Sequence, residues 1–393
     1  SASSTLQNQN NQAGQIHVAG TNSLISAATI TANGDNGGLV VMASSAGVNQ
    51  NTGYIQTNGG AGLGGTVAIS GLVSTTLSGA AIEANGTQGG GYILVGRDFK
   101  NNTLPGSAYL ANSIANISAV ITVPTSNFTV IDGATSLSAN AITNGNGGAV
   151  LTWGESLGIQ AAVSANGGLL SGKGGLIETS GNILLVDGIA VSANAPNGIK
   201  GLWLLDPTSI TISSGLAGGS TGSSLSAALA AAGASTITNI DLQAAINAGT
   251  SVNVVTNGSI TLSGNLTFDV SGSNSTPTLT LDNRSGSKQS ITTSGSISAI
   301  TDNSSGSGSG VNINIYSAGG AISFPDNNGS TGFAINIKGN LVIDNTFAVN
   351  GSSSGFITSS NATTYAISTA SGVSFGYYQT LTAKSVTING VSS

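Results

Sequence analysis

Residues able to do chemistry are scarce in this 393-residue chain, which has 14 acids, 8 lysines and arginines, one histidine and no cysteine. Only Glu83, Glu155 and Glu178 are glutamates. Cleaving a glycosidic bond takes two carboxyls within about 5–10 Å of each other. Glu83 follows the apolar Ile82, Glu155 follows Trp153 and Gly154, and Glu178 comes after a Gly-Gly pair on a separate strand. Nothing in that spacing brings two of them together, so solvated or turn-capping carboxylates are expected. His17 lies in the strand-like stretch GQIHVAG, where no acid and activated serine accompany it as a hydrolytic relay demands. Zinc needs several His, Cys or acidic ligands and cannot be assembled here. Calcium takes oxygen ligands alone, but Thr301–Gly310 and Pro325–Ser330 each offer a single acid, which suits turn chemistry. The glycine run at 59–65 lacks the Lys-Ser/Thr pair and the helix of a phosphate loop. The expectation is no catalytic residue, no cofactor, no metal and no enzyme. Trp153 and Trp203 stand as a possible glycan platform, because indole faces stack on sugar rings; packing against a neighbouring strand is the plainer alternative.

Composition points to the elements that carry these residues. The chain has 59 glycines, 39% hydrophobic residues and only 6% charged ones. Disordered chains combine low hydrophobicity with high net charge, whereas here Val, Ile, Leu and Ala fall in short alternating runs, as in thin strands between tight turns. A net charge of −6 leaves no basic footprint for nucleic acid. No apolar run approaches the ~18 residues of a membrane span. The opening SASSTLQNQNNQ is polar and lacks the apolar core of a secretory signal. The sequence is therefore expected to begin after processing or inside a longer protein. Freedom from cysteine suits a chain exported unfolded.

One unit recurs: an apolar residue, a spacer, Ala or Thr, Asn-Gly or a near relative, a short loop, Gly-Gly and an apolar strand. Copies begin at Ile30, Ile55, Ile82, Ile142, Val163 and Val191, with key asparagines Asn33, Asn58, Asn85, Asn144, Asn166 and Asn194. The step from Asn85 to Asn144 is about twice the others and reads as two turns. A period of about two dozen residues fits one rung of a parallel β-helix with three short strands. Asn-Gly and Gly-Gly corners are expected to supply positive-φ positions, and corner asparagines to form side-chain ladders.

The boundaries follow from departures. Residues 1–213 read as the regular parallel β-helix, with an excursion near 101–113 where Pro105 and Tyr109 interrupt the pattern. Residues 214–250 read as a linker with short helices, LSAALAAAG and TNIDLQAAINAG. The second has Thr238 or Asn239 as its cap and Gly249 as its stop. Residues 251–393 read as a second, looser β-solenoid.

At GKGGLIETSG (Gly172–Gly181), followed by GLWLLDPTSITIS (Gly201–Ser213), the chain resembles the filamentous haemagglutinin-like, high-molecular-weight adhesin exoproteins of two-partner secretion systems. The similarity is clearest over residues 30–270. The resemblance implies a right-handed parallel β-helix secreted to the outer surface of a Gram-negative bacterium by an outer-membrane secretion partner. It further implies adhesion to host or bacterial surface glycans or proteins, or self-association into fibres. The asparagine-proline motifs of the family's secretion domain are not found, so the sequence is expected to lie downstream of it. Two other readings compete: a filament subunit stacking end to end, and a polysaccharide-active β-helix enzyme.

Overall fold

The computed structural model describes residues 13–97, 123–215, 225–271, 276–286, 289–294, 299–305, 310–317, 322–324, 334–345, 349–351, 357–358, 365–369, 373–374, 381–382 and 386–390. These residues form a right-handed parallel β-helix, almost entirely parallel strand with two helices. The excursion expected at 101–113 lies outside the described residues. Two compact units are present. The first comprises Ser1–Gly181, Ile189–Trp203 and Ser220–Ala231, and the second Asn182–Gly188, Leu204–Gly219 and Ala232–Ser393.

The rungs of the first unit are built from short strands on three sheets. Gln15–Gly20, Leu39–Ser44, Thr66–Gly71, Tyr92–Val95, Ala149–Trp153 and Leu176–Gly181 make the first sheet. Ser23–Ser26, Val48–Asn51, Ser74–Leu77, Phe128–Ile131 and Ser156–Ile159 make the second. Thr29–Thr31, Tyr54–Gln56, Ala81–Glu83, Ser136–Ser138, Ala162–Ser164 and Ala190–Ser192 make the third. Every neighbouring pair is parallel, so like residues stack: Val40 beside Val67, Val67 beside Ile93, Ile93 beside Val150, Val150 beside Ile177. These side chains are fully buried, each contributing about 1.5–3 kcal/mol of apolar burial. The opposite face of the same sheet is apolar too: Leu39, Val41, Ala68, Leu94 and Leu151 pack into one cluster with Val123. Burial on both faces explains the unbroken runs LVVMAS and YILV in place of strict alternation.

The step from Asn85 to Asn144 is one turn and not two. Tyr92–Val95 pairs directly with Ala149–Trp153, so the additional residues fall within a single rung. The Gly-Gly corners also differ from expectation. Among glycines with positive φ are Gly79, Gly89 and Gly145, but not Gly65, Gly91, Gly148 or Gly175. Space is what those corners demand. A Cβ on Gly65 would lie 2.1 Å from the Gly38 carbonyl oxygen, on Gly91 2.0 Å from that of Gly65, on Gly148 1.9 Å from that of Gly91, and on Gly175 2.0 Å from that of Gly148. Each rung rests backbone to backbone on the one before it.

The helix Leu225–Ala231 belongs to the first unit, and its Leu225 side chain sits over Gly158, where a Cβ would come within 3.1 Å of it. The second unit repeats the parallel pattern, with Val252 beside Leu279, Leu279 beside Ile313 and Ile313 beside Leu341. Its third sheet runs from Leu266–Phe268 through Ala299–Asp302 and Ala334–Asn336. Within residues 214–250, Ser235–Thr238 is a strand. It pairs with Ile210–Ser213 on one side and at Leu185 on the other, out of chain order. The helix Asn239–Asn247 follows, with Thr238 as its N-cap, the Thr238 hydroxyl accepting from the Asp241 N–H. Gly249, just past its end, has φ +93°.

Gly148→Ala is expected to cost about 1–3 kcal/mol or more in chemical denaturation, as overpacking does. Gly133→Ala, whose methyl would meet nothing closer than 3.7 Å, should change stability by less than about 0.5 kcal/mol. Equal losses would refute the close-approach account.

Candidate functional site

The polar side chains of the first unit gather along the corner that follows the third sheet. There the backbone N–H of one asparagine donates to the side-chain Oδ1 of the asparagine one rung earlier. Asn58 donates to Asn33 (2.7 Å), Asn85 to Asn58 (2.8 Å), Asn140 to Asn85 (2.8 Å), Asn166 to Asn140 (2.7 Å) and Asn194 to Asn166 (2.7 Å). Asn140 is the fourth member, and Asn144, expected there, stands outside the ladder in the loop. The sequence carried the signal: Ser138-Ala139-Asn140 repeats as Ser164-Ala165-Asn166 and Ser192-Ala193-Asn194. The Asn-Gly at 144–145 is a decoy.

The amide nitrogens serve a second row. Asn33, Asn58, Asn85 and Asn140 Nδ2 donate to the side chain two residues before the next asparagine: Gln56, Glu83, Ser138 and Ser164, at 2.8–3.2 Å. In the rung that ends the asparagine ladder, Ser192 Oγ donates to Asn166 Oδ1, and the Lys200 ammonium donates to Asn194 Oδ1, both at 2.7 Å. Burial lowers the Lys200 pKa. Burial alone would raise the Glu83 carboxyl, but hydrogen bonds from Asn58, Gln56 and Tyr54 outweigh it and hold it below the usual value.

Asp132, Glu178, Asp302, Asp241 and Asp187 also have hydrogen-bond or ion-pair partners within the fold. Asp132 accepts from Ser78 Oγ, the Gly79 and Ala134 N–H groups and Thr135 Oγ1, which together overcome burial and lower its pKa. Glu178 was expected at a solvated or turn-capping position; it is buried on the outer face of the first sheet and ion-paired to Arg97 at 2.7 Å. Asp302, in the segment weighed for calcium, accepts from the Ser304, Val311 and Lys338 N–H groups. Its oxygens thus face donors. Pro325–Ser330 lies outside the described residues. In the second unit, Asp241 Oδ2 accepts from Thr238 Oγ1 and the Gly188 N–H, both at 2.7 Å. Asp187 accepts from Thr236 Oγ1 at 3.2 Å. Burial raises the Asp187 pKa, Thr236 partly offsets this, and the nearby Asp241 charge raises it further.

The glutamates stay apart in kind: Glu83 ends a third-sheet strand, Glu178 lies within a first-sheet strand, and exposed Glu155 sits in the connection after Ala149–Trp153. Among the described residues no group of three His, Cys, Asp or Glu side chains is placed to hold a metal. Half-buried His17 is beside Val41 on the outer face of the first sheet. The tryptophans are not a pair. Trp203 is fully buried and donates from Nε1 to Thr179 Oγ1 at 3.0 Å, so it offers no face to a sugar. Leu202 follows Gly201 as Ala149 follows Gly148, and the two N–H groups bond alike to Gly175 and Gly91. Trp203 therefore takes the inward place of Val150, while Trp153 lies three residues further along, on the other face.

A row of exposed apolar side chains occupies the loops between the asparagine corner and the Gly-Gly corner. Ile142 (49% exposed), Leu169 (65%), Leu170 (66%) and Ile199 (67%) fall in three successive rungs. Bonds from Leu169 N–H to the Ile142 carbonyl, Leu170 N–H to the Thr143 carbonyl and Asn197 Nδ2 to the Leu169 carbonyl hold these loops side by side. Leu63 (55%) extends the same loop edge. Sequence reading missed this row because each loop differs in length and contributes only one or two apolar residues.

No protein-family model and no curated protein matches the chain. The residues of the GKGGLIETSG and GLWLLDPTSITIS segments form the strands Leu176–Gly181, Leu202–Pro207 and Ile210–Ser213. Among the described residues no helix is long and apolar enough to cross a membrane.

Asn140→Ala should cost about 1–3 kcal/mol, since it strands the Asn166 N–H, whereas Asn144→Ala should stay within about 0.5 kcal/mol; denaturant titration separates them. The raised pKa of Asp187 means that its contribution is greatest below its unfolded pKa of about 3.9 and is lost as pH rises through the folded value. Asp187→Asn should therefore match the parent in melting temperature at acid pH and exceed it at neutral pH. A constant difference across that range would contradict this.

Proposed function

We propose that this chain is a structural and adhesive segment of a secreted protein at the outer surface of a Gram-negative bacterium, attaching to surface glycans or proteins through its loop edge. The observation that carries this reading is the row Ile142, Leu169, Leu170 and Ile199, apolar and 49–67% exposed on adjacent rungs. Contiguous exposed apolar side chains on a soluble surface mark contact sites, and rungs about 4.8 Å apart present them at a fixed pitch. Support also comes from the use of the acids: Glu83, Asp132, Glu178, Asp241 and Asp302 are engaged in holding the fold. The LLDP-bearing segment adds export through an outer-membrane partner as part of the proposal. Trp203 has no share in recognition.

The purified chain, immobilised on beads, should retain cells or glycan-coated surfaces. The triple change Leu169→Ser, Leu170→Ser and Ile199→Ser should reduce retention by roughly tenfold, as loss of an apolar contact centre does, without altering the melting temperature. Unchanged retention by the triple variant would remove the loop edge from the proposal.

A further inference from the structure

The first unit contains several Asn-Gly steps, and these are chemically the least durable peptide units in it. The glycine nitrogen attacks the preceding asparagine Cγ, forming the N–Cγ bond of a succinimide and expelling the side-chain nitrogen as ammonia. Water then opens the ring to aspartate or isoaspartate. The attack needs a glycine N–H free to lose its proton and an asparagine side chain free to swing over it. Hydrogen bonding to the next rung therefore decides which steps react.

At Asn33-Gly34, Asn58-Gly59, Asn85-Gly86 and Asn166-Gly167 both requirements are blocked. The glycine N–H groups donate to the carbonyls of Asn58, Asn85, Asn140 and Asn194. The asparagine Oδ1 atoms accept from the next rung in the ladder. Asn36-Gly37 and Asn146-Gly147 are held in the same way: Gly37 and Gly147 N–H donate to the Leu63 and Lys173 carbonyls, and Leu63 and Lys173 N–H donate to Asn36 and Asn146 Oδ1. Asn144-Gly145 and Asn197-Gly198 differ. No backbone hydrogen bond ties the Gly145 or Gly198 N–H among the described residues. Asn144 holds one bond from Ser171 Oγ at 3.2 Å, and Asn197 makes one to the Leu169 carbonyl at 2.8 Å and is exposed.

We propose that Asn144 and Asn197 are deamidation sites of this protein, and that the ladder preserves Asn33, Asn58, Asn85 and Asn166. Asn144 lies in the loop that carries Ile142, and Asn197 in the loop that carries Ile199. Reaction there places new carboxylates in the apolar row, and at Asn197 it removes the bond to Leu169. The loop edge thus changes charge with age. This inference stands on hydrogen bonding alone and does not depend on the adhesive reading.

The full chain would be held at mildly alkaline pH, folded or unfolded in urea, and mapped by peptide mass spectrometry with isoaspartate detection. In the folded chain, conversion at Asn144 and Asn197 should outpace that at the four ladder asparagines by roughly tenfold or more, because a ladder step reacts only after local opening. In urea, all six should convert within about threefold of one another, the fold's protection being gone. Equal rates in the folded chain would overturn the proposal, as would Asn144 and Asn197 reacting as slowly as the ladder. Asn144→Ser with Asn197→Ser should abolish the early isoaspartate signal while leaving the melting temperature unchanged.

Discussion

The spacing between successive rungs governs everything else in this protein. Parallel strands must approach to about 4.8 Å to share backbone hydrogen bonds, and at the corners, where the bridges between rungs are isolated and not continuous ladders, that distance must also be held by other means. Two devices do so here. At the Gly-Gly corner the absence of a Cβ lets Gly148 rest on the Gly91 carbonyl and Gly175 on that of Gly148. At the asparagine corner each backbone N–H, which would otherwise be left unmet in a turn, finds the Oδ1 of the previous rung. A buried or half-buried N–H without a partner costs about 1–3 kcal/mol, so the ladder converts a recurrent loss into a recurrent tie.

Most of this architecture was legible in the sequence, and the failures have particular causes. The period, the apolar columns and the parallel β-helix follow from a repeating Asn-Gly, Gly-Gly and β-branched pattern. The helix Asn239–Asn247 was legible because Thr238 and Gly249 bracket an apolar stretch. Asn144 was mistaken for Asn140 because Asn-Gly is a stronger local turn signal than Ser-Ala-Asn. Register is fixed by the buried Leu137, which stands beside Ile82 and Val163. The strand Ser235–Thr238 escaped notice because four residues between two helical stretches carry little periodicity, and only its pairing with Ile210–Ser213 reveals it. The Arg97–Glu178 pair joins residues far apart in sequence, on a face whose burial no alternation pattern announced.

The same spacing accounts for the low charge, which composition alone would leave as a curiosity. In an in-register parallel stack each position lies directly over its counterpart, and like charges so placed repel. The row two residues before the ladder asparagines shows the consequence: Thr31, Gln56, Glu83, Ser138, Ser164 and Ser192. One carboxylate is accepted there because an amide precedes it and a hydroxyl follows, and Asn58 and Gln56 donate to it. A second acid beside it would remove those donors and add repulsion. Along that row uncharged Thr, Gln and Ser therefore predominate, whereas in the loops rungs need not match. Ile142, Leu169, Leu170 and Ile199 stand in those loops. There one rung can differ chemically from the next without placing like charges in a stack, which is why the apolar row is free to vary from loop to loop.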